Sequence, residues 1–273
     1  MDMTTQPYTL ELVRDGHWMT IRLNRPDLRN AMSRQMTAEL TQTLQDLRGD
    51  TSVRGITLRG NGGWFCAGGD LAEFKADFQS GPPDQADIKV ASRAAGTLFH
   101  LLNTMPQLTL ALVEGGAVAG GLGLMCACDI SIATDGAVFA LTETTLGIPP
   151  AQIAPFVRAR IGLPKARQLM LTAPRFKAAE AEAYGLVTSV VPDAAALDAA
   201  ETALRDQLRR CAPGAVAATK DILLHTPDDP DAQVGAAAEA FAECMLSDEG
   251  REGIASFFEK RSPSWAAPSG EQT

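Results

Sequence analysis

Hydrophobic and polar residues alternate along two short segments near the start of the chain, Leu10–Arg14 and Trp18–Leu23. Alternation with a period of two is typical of half-buried β-strands. The dipeptide Asp15-Gly16 between the segments favours a tight turn. The chain is therefore predicted to open with a β-hairpin.

A helical pattern follows the hairpin. Ser33 is suited to cap a helix from Arg34 to Leu47, because its side-chain oxygen can accept a hydrogen bond from a free amide of the first turn. The apolar residues of this segment recur at helical spacing and define one buried face. They are Met36, Leu40, Leu44 and Leu47.

A unit made of a strand, a turn and a second short extended piece then occurs three times. The first copy is Val53–Leu58 with Trp64–Ala67, the second is Leu108–Val113 with Ala117–Ala119, and the third is Ile130–Ala133 with Val138–Ala140. A helix of small residues is expected from Gly120. Because the unit recurs without a strict period, it predicts an α/β fold of stacked spiral turns rather than a doubly wound sheet.

The character of the chain changes after residue 192, where segments rich in Ala, Glu and Leu predict helices. These segments are Ala194–Arg210, Pro213–Leu224, Asp231–Met245 and Glu249–Lys260. We therefore expect a core over residues 1–192, a helical region over 193–261 that packs on the core and on another subunit, and a tail over 262–273 whose end is disordered. The segment Gln79–Ala86 is expected to be a mobile surface loop.

Charge and composition exclude several classes of function. Lys+Arg number 24 against 33 for Asp+Glu, a net charge of −9, which argues against a nucleic-acid binder. The longest apolar stretch, Leu108–Cys128, contains Glu114 and five glycines, so it is expected in a soluble core rather than in a membrane. The first residues lack the pattern of a signal peptide, and the five cysteines lack CxxC spacing. A cytoplasmic protein with reduced, buried thiols is the expectation.

Common catalytic motifs do not occur in the sequence. It contains no GxGxxG, GxxxxGK[ST], HExxH or GxSxG string, and its histidines, His17, His100 and His225, are far apart. Metal, P-loop and Ser-His-Asp chemistry therefore have no support, and no metal site is expected.

Three other segments carry the candidate chemistry: Phe65–Asp70, Ala117–Gly121 and Leu141–Pro149. Glycines at a strand end and at a helix start free amide donors and allow a ligand to approach the backbone. Two such amides that converge on one oxygen form an oxyanion hole, and Glu143 across the pocket could move a proton on the adjacent carbon. This combination favours enolate chemistry, although the residues alone allow equally that the glycines only form turns and close helix contacts.

The strings in these segments resemble those of the enoyl-CoA hydratase/isomerase (crotonase) superfamily. The segments read FCAGGD, ALVEGGAVAGGLGLMCACDISIA and LTETTLGIPPAQIAPF. The resemblance extends to IRLNRPDLRNAM near the start, to AAEAEAYGLVTSVV and to FFEKRSPSW near the end, so that it covers nearly the whole chain. It implies a crotonase (ClpP-like) spiral of ββα units that binds acyl-CoA thioesters, with a C-terminal helical region that builds homotrimers or dimers of trimers.

The resemblance also implies roles for individual residues. The amides of Gly69 and Gly120 would hold the thioester oxygen, and Glu143 would be the catalytic acid and base. Further binding positions would be Ala67 against the adenine of CoA, Gly68 and Asp70 beside the first amide, Arg25 and Arg29 near the CoA phosphates, and Lys260 reaching the CoA of a neighbouring subunit. Plain surface solvation is the alternative for these three cations. No cofactor is implied, because coenzyme A is part of the substrate.

One position departs from the pattern of the hydratases in this family, which carry two catalytic glutamates. The first would stand at Gly123 and is absent, whereas the second matches Glu143. A lone carboxylate suits the proton shuttle of a Δ3-Δ2 enoyl-CoA isomerase, and it could also perform hydration alone. The glycine is also expected to leave volume for a branched or bulky acyl group.

Within the superfamily, several strings resemble most the isohexenylglutaconyl-CoA hydratases of acyclic terpene catabolism. They include ETTLGIPPAQIAPFVRARIGL, ARQLMLTAPRF and EKRSPSW. The second carboxylate of such a substrate requires a cation, for which Arg158 and Arg160 are candidates unless they are exposed helix residues. A hydratase of a branched 2-enoyl-CoA is therefore the favoured reading. An isomerase and a non-catalytic acyl-CoA-binding homologue are the alternatives.

Overall fold

A computed structural model describes residues 8–79 and 84–266. Its strands are β1 Leu10–Asp15, β2 Trp18–Leu23, β3 Gly55–Gly60, β4 Leu108–Val113, β5 Gly116–Val118, β6 Ile130–Thr134, β7 Val138–Ala140, β8 Arg175–Lys177 and β9 Ser189–Val191. Its helices are α1 Arg34–Arg48, α2 Leu71–Gln79, α3 Gln85–Asn103, α4 Gly120–Ala127, α5 Ala154–Thr172, α6 Ala178–Ala183, α7 Ala194–Arg209, α8 Pro213–Leu224, α9 Pro230–Leu246 and α10 Asp248–Glu259.

The strands form two sheets, and successive turns of the spiral contribute to both. The larger sheet has the order β1-β2-β3-β4-β6-β9, antiparallel in the β1–β2 hairpin and parallel thereafter. The smaller sheet has the order β5-β7-β8, with β5 and β7 parallel and β8 antiparallel to β7. The chain thus alternates between a long strand in one sheet and a short strand in the other, so the predicted spiral is confirmed.

Helix α1 has the predicted start and the predicted buried face. The Ser33 hydroxyl accepts a hydrogen bond from the Met36 amide at 3.1 Å. The predicted apolar residues of α1 are all buried in the main core, where they pack against α3 and the larger sheet. The bounds of β4, β7 and α8 agree with the prediction as well.

Other elements differ in detail from the prediction. The strand expected from Val53 begins at Gly55, because the Val53 amide closes a turn onto the Asp50 carbonyl. The segment Trp64–Ala67 is extended but joins the smaller sheet only through an isolated bridge at Cys66. The expected loop over Gln79–Ala86 is bounded by the end of α2 and the start of α3, and its central residues 80–83 lie outside the described residues, as do 1–7 and 267–273.

The helices after residue 192 differ in how they attach to the core. Helix α7 is hydrogen-bonded to the larger sheet through Glu201, which accepts from the buried hydroxyl of Thr57 in β3. This hydroxyl in turn accepts a hydrogen bond from the Trp18 indole in β2. Helices α8 and α9 contain no buried residue, although both are described in full. The division at residue 192 stays a prediction. No helix within the described ranges combines the length and the apolar character needed to cross a membrane.

Candidate active site

Three chain segments leave the smaller sheet at the same edge. Cys66 pairs with Ala117 in a parallel bridge, and Ala117 pairs with Phe139 in the parallel β5–β7 ladder. Gly69 and Gly120 each lie three residues beyond these paired positions, and Glu143 lies four residues beyond. Because parallel strands run in one direction, their ends meet at one edge of the sheet. The fold thus brings the three sequence-predicted segments together.

The two glycine segments are in direct backbone contact. Gly68 has φ +95°, and a Cβ atom there would lie 2.9 Å from the Val118 carbonyl oxygen and 3.3 Å from the Gly120 nitrogen. A Cβ atom on Gly120 would lie 3.8 Å from the Gly69 nitrogen. At Gly68 this approach requires a glycine, because φ is positive and a Cβ atom would clash with backbone, whereas a Cβ atom on Gly120 would be close only to the flexible end of Met32.

Both candidate amides point away from their own neighbouring segments. The carbonyl of Gly68 accepts a hydrogen bond from the Met32 amide at 2.7 Å. Since the carbonyl and the N–H of a trans peptide point in opposite directions, the N–H of Gly69 faces away from Met32. In the same way, the Ala119 carbonyl accepts from the Gly123 amide inside α4, so the Gly120 N–H points out of the helix start. Neither amide donates a hydrogen bond to any described residue.

The residue that precedes the Gly120 amide has a strained backbone conformation. Ala119 has φ +49° and ψ −124°, a region that residues with a Cβ rarely adopt. Its amide donates to the Ala140 carbonyl at 2.9 Å and holds this conformation. Such strain costs about 1–3 kcal/mol, and here it orients the Gly120 peptide.

Glu143 begins a short 3-10 helix, Glu143–Leu146, three residues after the Ala140 carbonyl that binds Ala119. Its Oε2 atom is buried and has no hydrogen-bond partner among the described residues. Burial raises the pKa of this carboxyl, and a hydrogen bond from its own amide offsets only part of the effect. A carboxyl with a free oxygen and a raised pKa is suited to accept and return a proton.

The expectation that Gly123 leaves room for an acyl group is wrong. A Cβ atom on this residue would lie 2.9 Å from Ile153 Cβ and closer still to its Cγ2, with the Phe99 ring at 3.4 Å. Ile153 is 4% exposed, and Phe156 packs edge-on against Phe99 at 6.1 Å. The space in which a second carboxylate would stand is therefore filled by an apolar side chain.

Arg25 and Asp70 bind each other. The Arg25 guanidinium donates to an Asp70 carboxylate oxygen at 2.7 Å and to the Ala31 carbonyl at 2.6 Å, and its side chain is 20% exposed. Asp70 also accepts from the Ala72 amide at the start of α2. Burial opposes its ionisation, but these hydrogen bonds outweigh burial and hold the pKa of Asp70 below its usual value. The contacts place Arg25 and Asp70 in an ion pair inside the loop, and a contact of either residue with CoA stays a prediction.

The remaining predicted binding residues lie on accessible surface. Ala67 is half-buried, and its amide donates to the Arg29 carbonyl at 3.0 Å. The Arg29 guanidinium lies over the Trp64 ring at 4.9 Å and is exposed, so it adjoins Ala67 with its charge available. Lys260 is exposed at the C-terminal cap of α10.

The candidate cations for a second substrate carboxylate lie elsewhere. Arg160 donates to the carbonyls of Cys126 and Cys128 and so caps the C-terminal end of α4, the end opposite Gly120. Arg158 is exposed.

The cysteines correspond only in part to the expectation of buried thiols. Three are buried, and burial raises the pKa of each to about 12. They are Cys66, Cys126 and Cys128, whereas Cys211 is exposed and Cys244 is half-buried. The described residues contain no group of three or more His, Cys, Asp or Glu side chains arranged to hold a metal ion.

Two residues beside the amides were missed by the sequence reasoning. A Cβ atom on Gly69 would lie 3.2 Å from the Phe74 ring, and one on Gly120 would lie 2.5 Å from Met32 Cε. Both contacts surround the amides with apolar atoms, which strengthens a hydrogen bond made there. Phe74 follows in the first turn and a half of α2, but no local pattern indicates which way it packs.

Comparison with known proteins agrees with this geometry. The sequence profile described as enoyl-CoA hydratase/isomerase matches residues 16–268. The enoyl-CoA hydratase EchA19 of Mycobacterium tuberculosis is 34% identical over 263 residues, covering 92% of this chain and 94% of that protein. The chain belongs to the enoyl-CoA hydratase/isomerase family, the crotonase superfamily.

Solved structures of similar proteins share the whole architecture. AtuE of Pseudomonas aeruginosa superposes with a TM-score of 0.91 at 46% identity, covering 95% of this chain and 100% of the other. An enoyl-CoA hydratase/isomerase from Marinobacter aquaeolei gives a TM-score of 0.90 at 40% identity, covering 95% and 99%.

The contact between Gly123 and Ile153 predicts a strong effect of one methyl group. Gly123→Ala should lower the free energy of unfolding by about 1–3 kcal/mol, because it overpacks a buried contact. Adding Ile153→Ala should recover part of this loss, although that change alone is destabilising. Gly136→Ala is the matched control, since a Cβ atom there meets nothing within 4 Å. Urea unfolding of the four variants measures the effects, and equal stability of the Gly123 and Gly136 variants would contradict the contact.

The raised pKa of Glu143 predicts a pH-dependent stability. The folded protein binds this proton more tightly than the unfolded chain, whose carboxyl has a pKa near 4.5. Relative to Glu143→Gln, the free energy of unfolding of the wild type should fall as the pH rises from the unfolded to the folded pKa and should then stay constant. Urea unfolding of both proteins between pH 4 and pH 8 measures this difference. A difference that increases with pH would show that the carboxylate is stabilised in the fold.

Proposed function

We infer that this chain is a hydratase-type lyase that acts on a branched 2-enoyl-CoA thioester through a stabilised enolate. One observation supports this most directly. The segment that carries Glu143 leaves the smaller sheet at the same edge as the segments of Gly69 and Gly120. The Oε2 atom of Glu143 is buried without a hydrogen-bond partner among the described residues, and the two glycine amides donate to no described residue. A thioester carbonyl between the amides would place its α and β carbons toward the carboxyl.

In the proposed mechanism, Glu143 takes a proton from a water molecule whose oxygen attacks the β carbon. The electron pair of the double bond moves to form the enolate, whose oxygen accepts from the N–H groups of Gly69 and Gly120. Glu143 then returns the proton to the α carbon, so that water is added and the enzyme is regenerated. Each amide of such a pair contributes roughly 2.7–4 kcal/mol of transition-state stabilisation.

The CoA part of the substrate is expected to follow the surface beside the first amide. Ala67 would contact the adenine, and Arg29 is the candidate cation for the phosphates, because its charge is exposed and unpaired by any described carboxylate. Lys260 would approach the CoA of a neighbouring subunit. The proposed reaction uses only the substrate, water and residues of this chain, and no separate cofactor.

The identity of the acyl group rests on sequence resemblance. The strings shared with isohexenylglutaconyl-CoA hydratases support a branched acyl chain and a place in terpenoid catabolism. The space beside Gly123 is filled by the buried Ile153 and Phe99, so the acyl chain is proposed on the resemblance alone.

A Δ3-Δ2 enoyl-CoA isomerase is the second candidate, and a specific contact favours it. Ile153 occupies the space beside Gly123 in which a second glutamate would stand, and Glu143 remains as the carboxyl proposed for the reaction. In isomerisation this carboxyl would remove a proton from carbon 2 and return it to carbon 4, with no water involved.

A homotrimer, or a dimer of trimers, in the cytoplasm completes the proposal. Helices α8 to α10 expose large apolar side chains that a monomer would leave in water, among them Phe257 and Phe258 at 79% and 77% exposure. The others above 65% exposure on these helices are Leu223, Val234, Phe241 and Leu246.

Replacing the carboxyl tests the catalytic part of the proposal. Glu143→Gln should reduce kcat at least about 10²–10⁴-fold, the usual contribution of a general acid and base, with little change in the Kd for a saturated acyl-CoA. Glu11→Gln is the control, because a glutamine there can still accept the hydrogen bond from Asn61. Steady-state kinetics and calorimetric binding measure both quantities. Near-normal turnover in the Glu143 variant would remove this residue from the mechanism.

Labelled water separates the two reactions. With H₂¹⁸O and a branched 2-enoyl-CoA, a hydratase should give a 3-hydroxyacyl-CoA that contains ¹⁸O, measured by mass spectrometry. An isomerase should instead convert 3-enoyl-CoA to 2-enoyl-CoA with no ¹⁸O in the product. Tight binding without reaction on either substrate would indicate an acyl-CoA-binding homologue.

A further inference from the structure

A chain of hydrogen bonds runs from the Arg25 side chain to the first candidate oxyanion donor. The guanidinium donates to the Ala31 carbonyl at 2.6 Å. The other end of that peptide group, the Met32 N–H, donates to the Gly68 carbonyl at 2.7 Å. The other end of the next peptide group is the Gly69 N–H, which donates to no described residue. Two peptide groups in series thus connect a cation with the free amide.

This connection fixes the direction of the Gly69 amide. Gly68 has φ +95°, so its peptide groups are not held by a regular strand. The Met32 amide fixes the plane of the Gly68–Gly69 peptide, and Arg25 fixes the plane of the peptide that contains this amide. Because each peptide is planar, rotation of the Ala31 carbonyl away from Arg25 would turn both groups.

Asp70 secures the other side of the same loop. Its carboxylate accepts from Arg25 at 2.7 Å and from the Ala72 amide, and its own amide donates to the Met32 carbonyl at 3.0 Å. Arg25 therefore bridges the segment before Met32 and the segment after Gly69. With 20% and 7% of their side chains exposed, Arg25 and Asp70 form a pair that is largely shielded from water.

The series of hydrogen bonds also affects the strength of the donor. Hydrogen bonds that follow one another through peptide groups polarise each other, and a charged donor at the start strengthens the effect. The Gly69 N–H at the end of the series is thereby a better donor to a negatively charged oxygen than an isolated amide.

We propose that Arg25 is the positioning residue of the Gly69 oxyanion donor, acting through the Ala31–Met32 and Gly68–Gly69 peptide groups, and that it does not bind a CoA phosphate. This inference rests on the proposed function of the Gly69 amide. Arg25 touches no reacting atom, so its substitution should affect catalysis through the geometry and polarity of this amide.

The test compares two thioesters of the same enoyl group, one of CoA and one of pantetheine, which lacks the phosphates. Arg25→Gln should lower kcat about 10- to 100-fold, less than the roughly 10²–10³-fold typical of losing an oxyanion donor outright. The loss in kcat/KM should be equal for the two thioesters.

Asp70→Asn should lower kcat as well, and the double variant should be no worse than the more impaired single variant. An increase in KM for the CoA thioester alone, with kcat unchanged, would overturn the proposal in favour of a phosphate contact.

A spectroscopic measurement keeps the test independent of turnover. The infrared stretch of a ¹³C=O-labelled saturated acyl-CoA should shift to lower frequency on binding to the wild type and less on binding to Arg25→Gln. Arg25→Lys, which keeps the charge but has a single ammonium nitrogen in place of the two donating guanidinium nitrogens, should be intermediate. Arg14→Gln, which removes an ion pair with Asp50 outside this loop, is the control and should keep the full shift. Wild-type shifts in both Arg25 variants would overturn the inference, whereas no shift in the wild type itself would instead refute the oxyanion hole.

Discussion

The close approach of three backbone segments is the constraint on which the site depends. The segment after Cys66 lies so near the start of α4 that a side chain on Gly121 would meet Cys66 Cβ at 2.8 Å and its carbonyl oxygen at a shorter distance. Gly68 is under the same restriction, since a Cβ atom there would lie 2.9 Å from the Val118 carbonyl oxygen. Side chains at these two positions would hold the two backbone segments apart. The glycines are thus required by the geometry of the amides and are not only residues of turns.

The site is maintained at an energetic cost that the surrounding fold offsets. Ala119 holds a strained conformation, and Glu143 keeps a buried oxygen that has no hydrogen-bond partner within residues 8–79 and 84–266. Both features lower stability, and both increase the capacity of the site to bind a charge or move a proton. The offsetting interactions are ordinary ones, such as the buried face of α1 and the parallel ladders of the larger sheet.

Much of the fold could be predicted from the sequence because the signals are local. Strand β4 is an apolar run that ends at Glu114-Gly115-Gly116, and its bounds were predicted correctly. Helix α5 was not predicted, because Gly162 and Pro164 interrupt its pattern and the structure has a kink there. Strands β8 and β9 contain three residues each, too few for a recognisable alternation.

The residues of the candidate site also fall into two groups, those in recognisable local sequence patterns and those defined by contacts between distant parts of the chain. Gly69, Gly120 and Glu143 lie in segments that local patterns and the family resemblance single out; the fold brings these segments to one edge, and the roles of the residues stay predictions. The pairing of Arg25 with Asp70 joins residues 45 positions apart, and no local pattern encodes it. The filling of the Gly123 space by Ile153 is equally a product of tertiary packing. The resemblance suggested a free cation at Arg25 and the missing side chain suggested a gap at Gly123, whereas the folded chain pairs Arg25 with Asp70 and places Ile153 beside Gly123.

One carboxyl restricts the proton path, whichever reaction the site performs. If Glu143 takes a proton from water and returns it to the α carbon, both events occur on the face of the enoyl group that this residue covers. If it moves a proton from carbon 2 to carbon 4, both events occur on that face as well. Hydration and isomerisation therefore share the oxyanion hole and the proton carrier, and they differ in whether one water molecule fits between Glu143 Oε2 and the β carbon. Ile153 fills the Gly123 side with apolar atoms, so such a water would have no partner from that position. The choice between the two reactions is consequently set by the space around a single oxygen atom rather than by a second catalytic group.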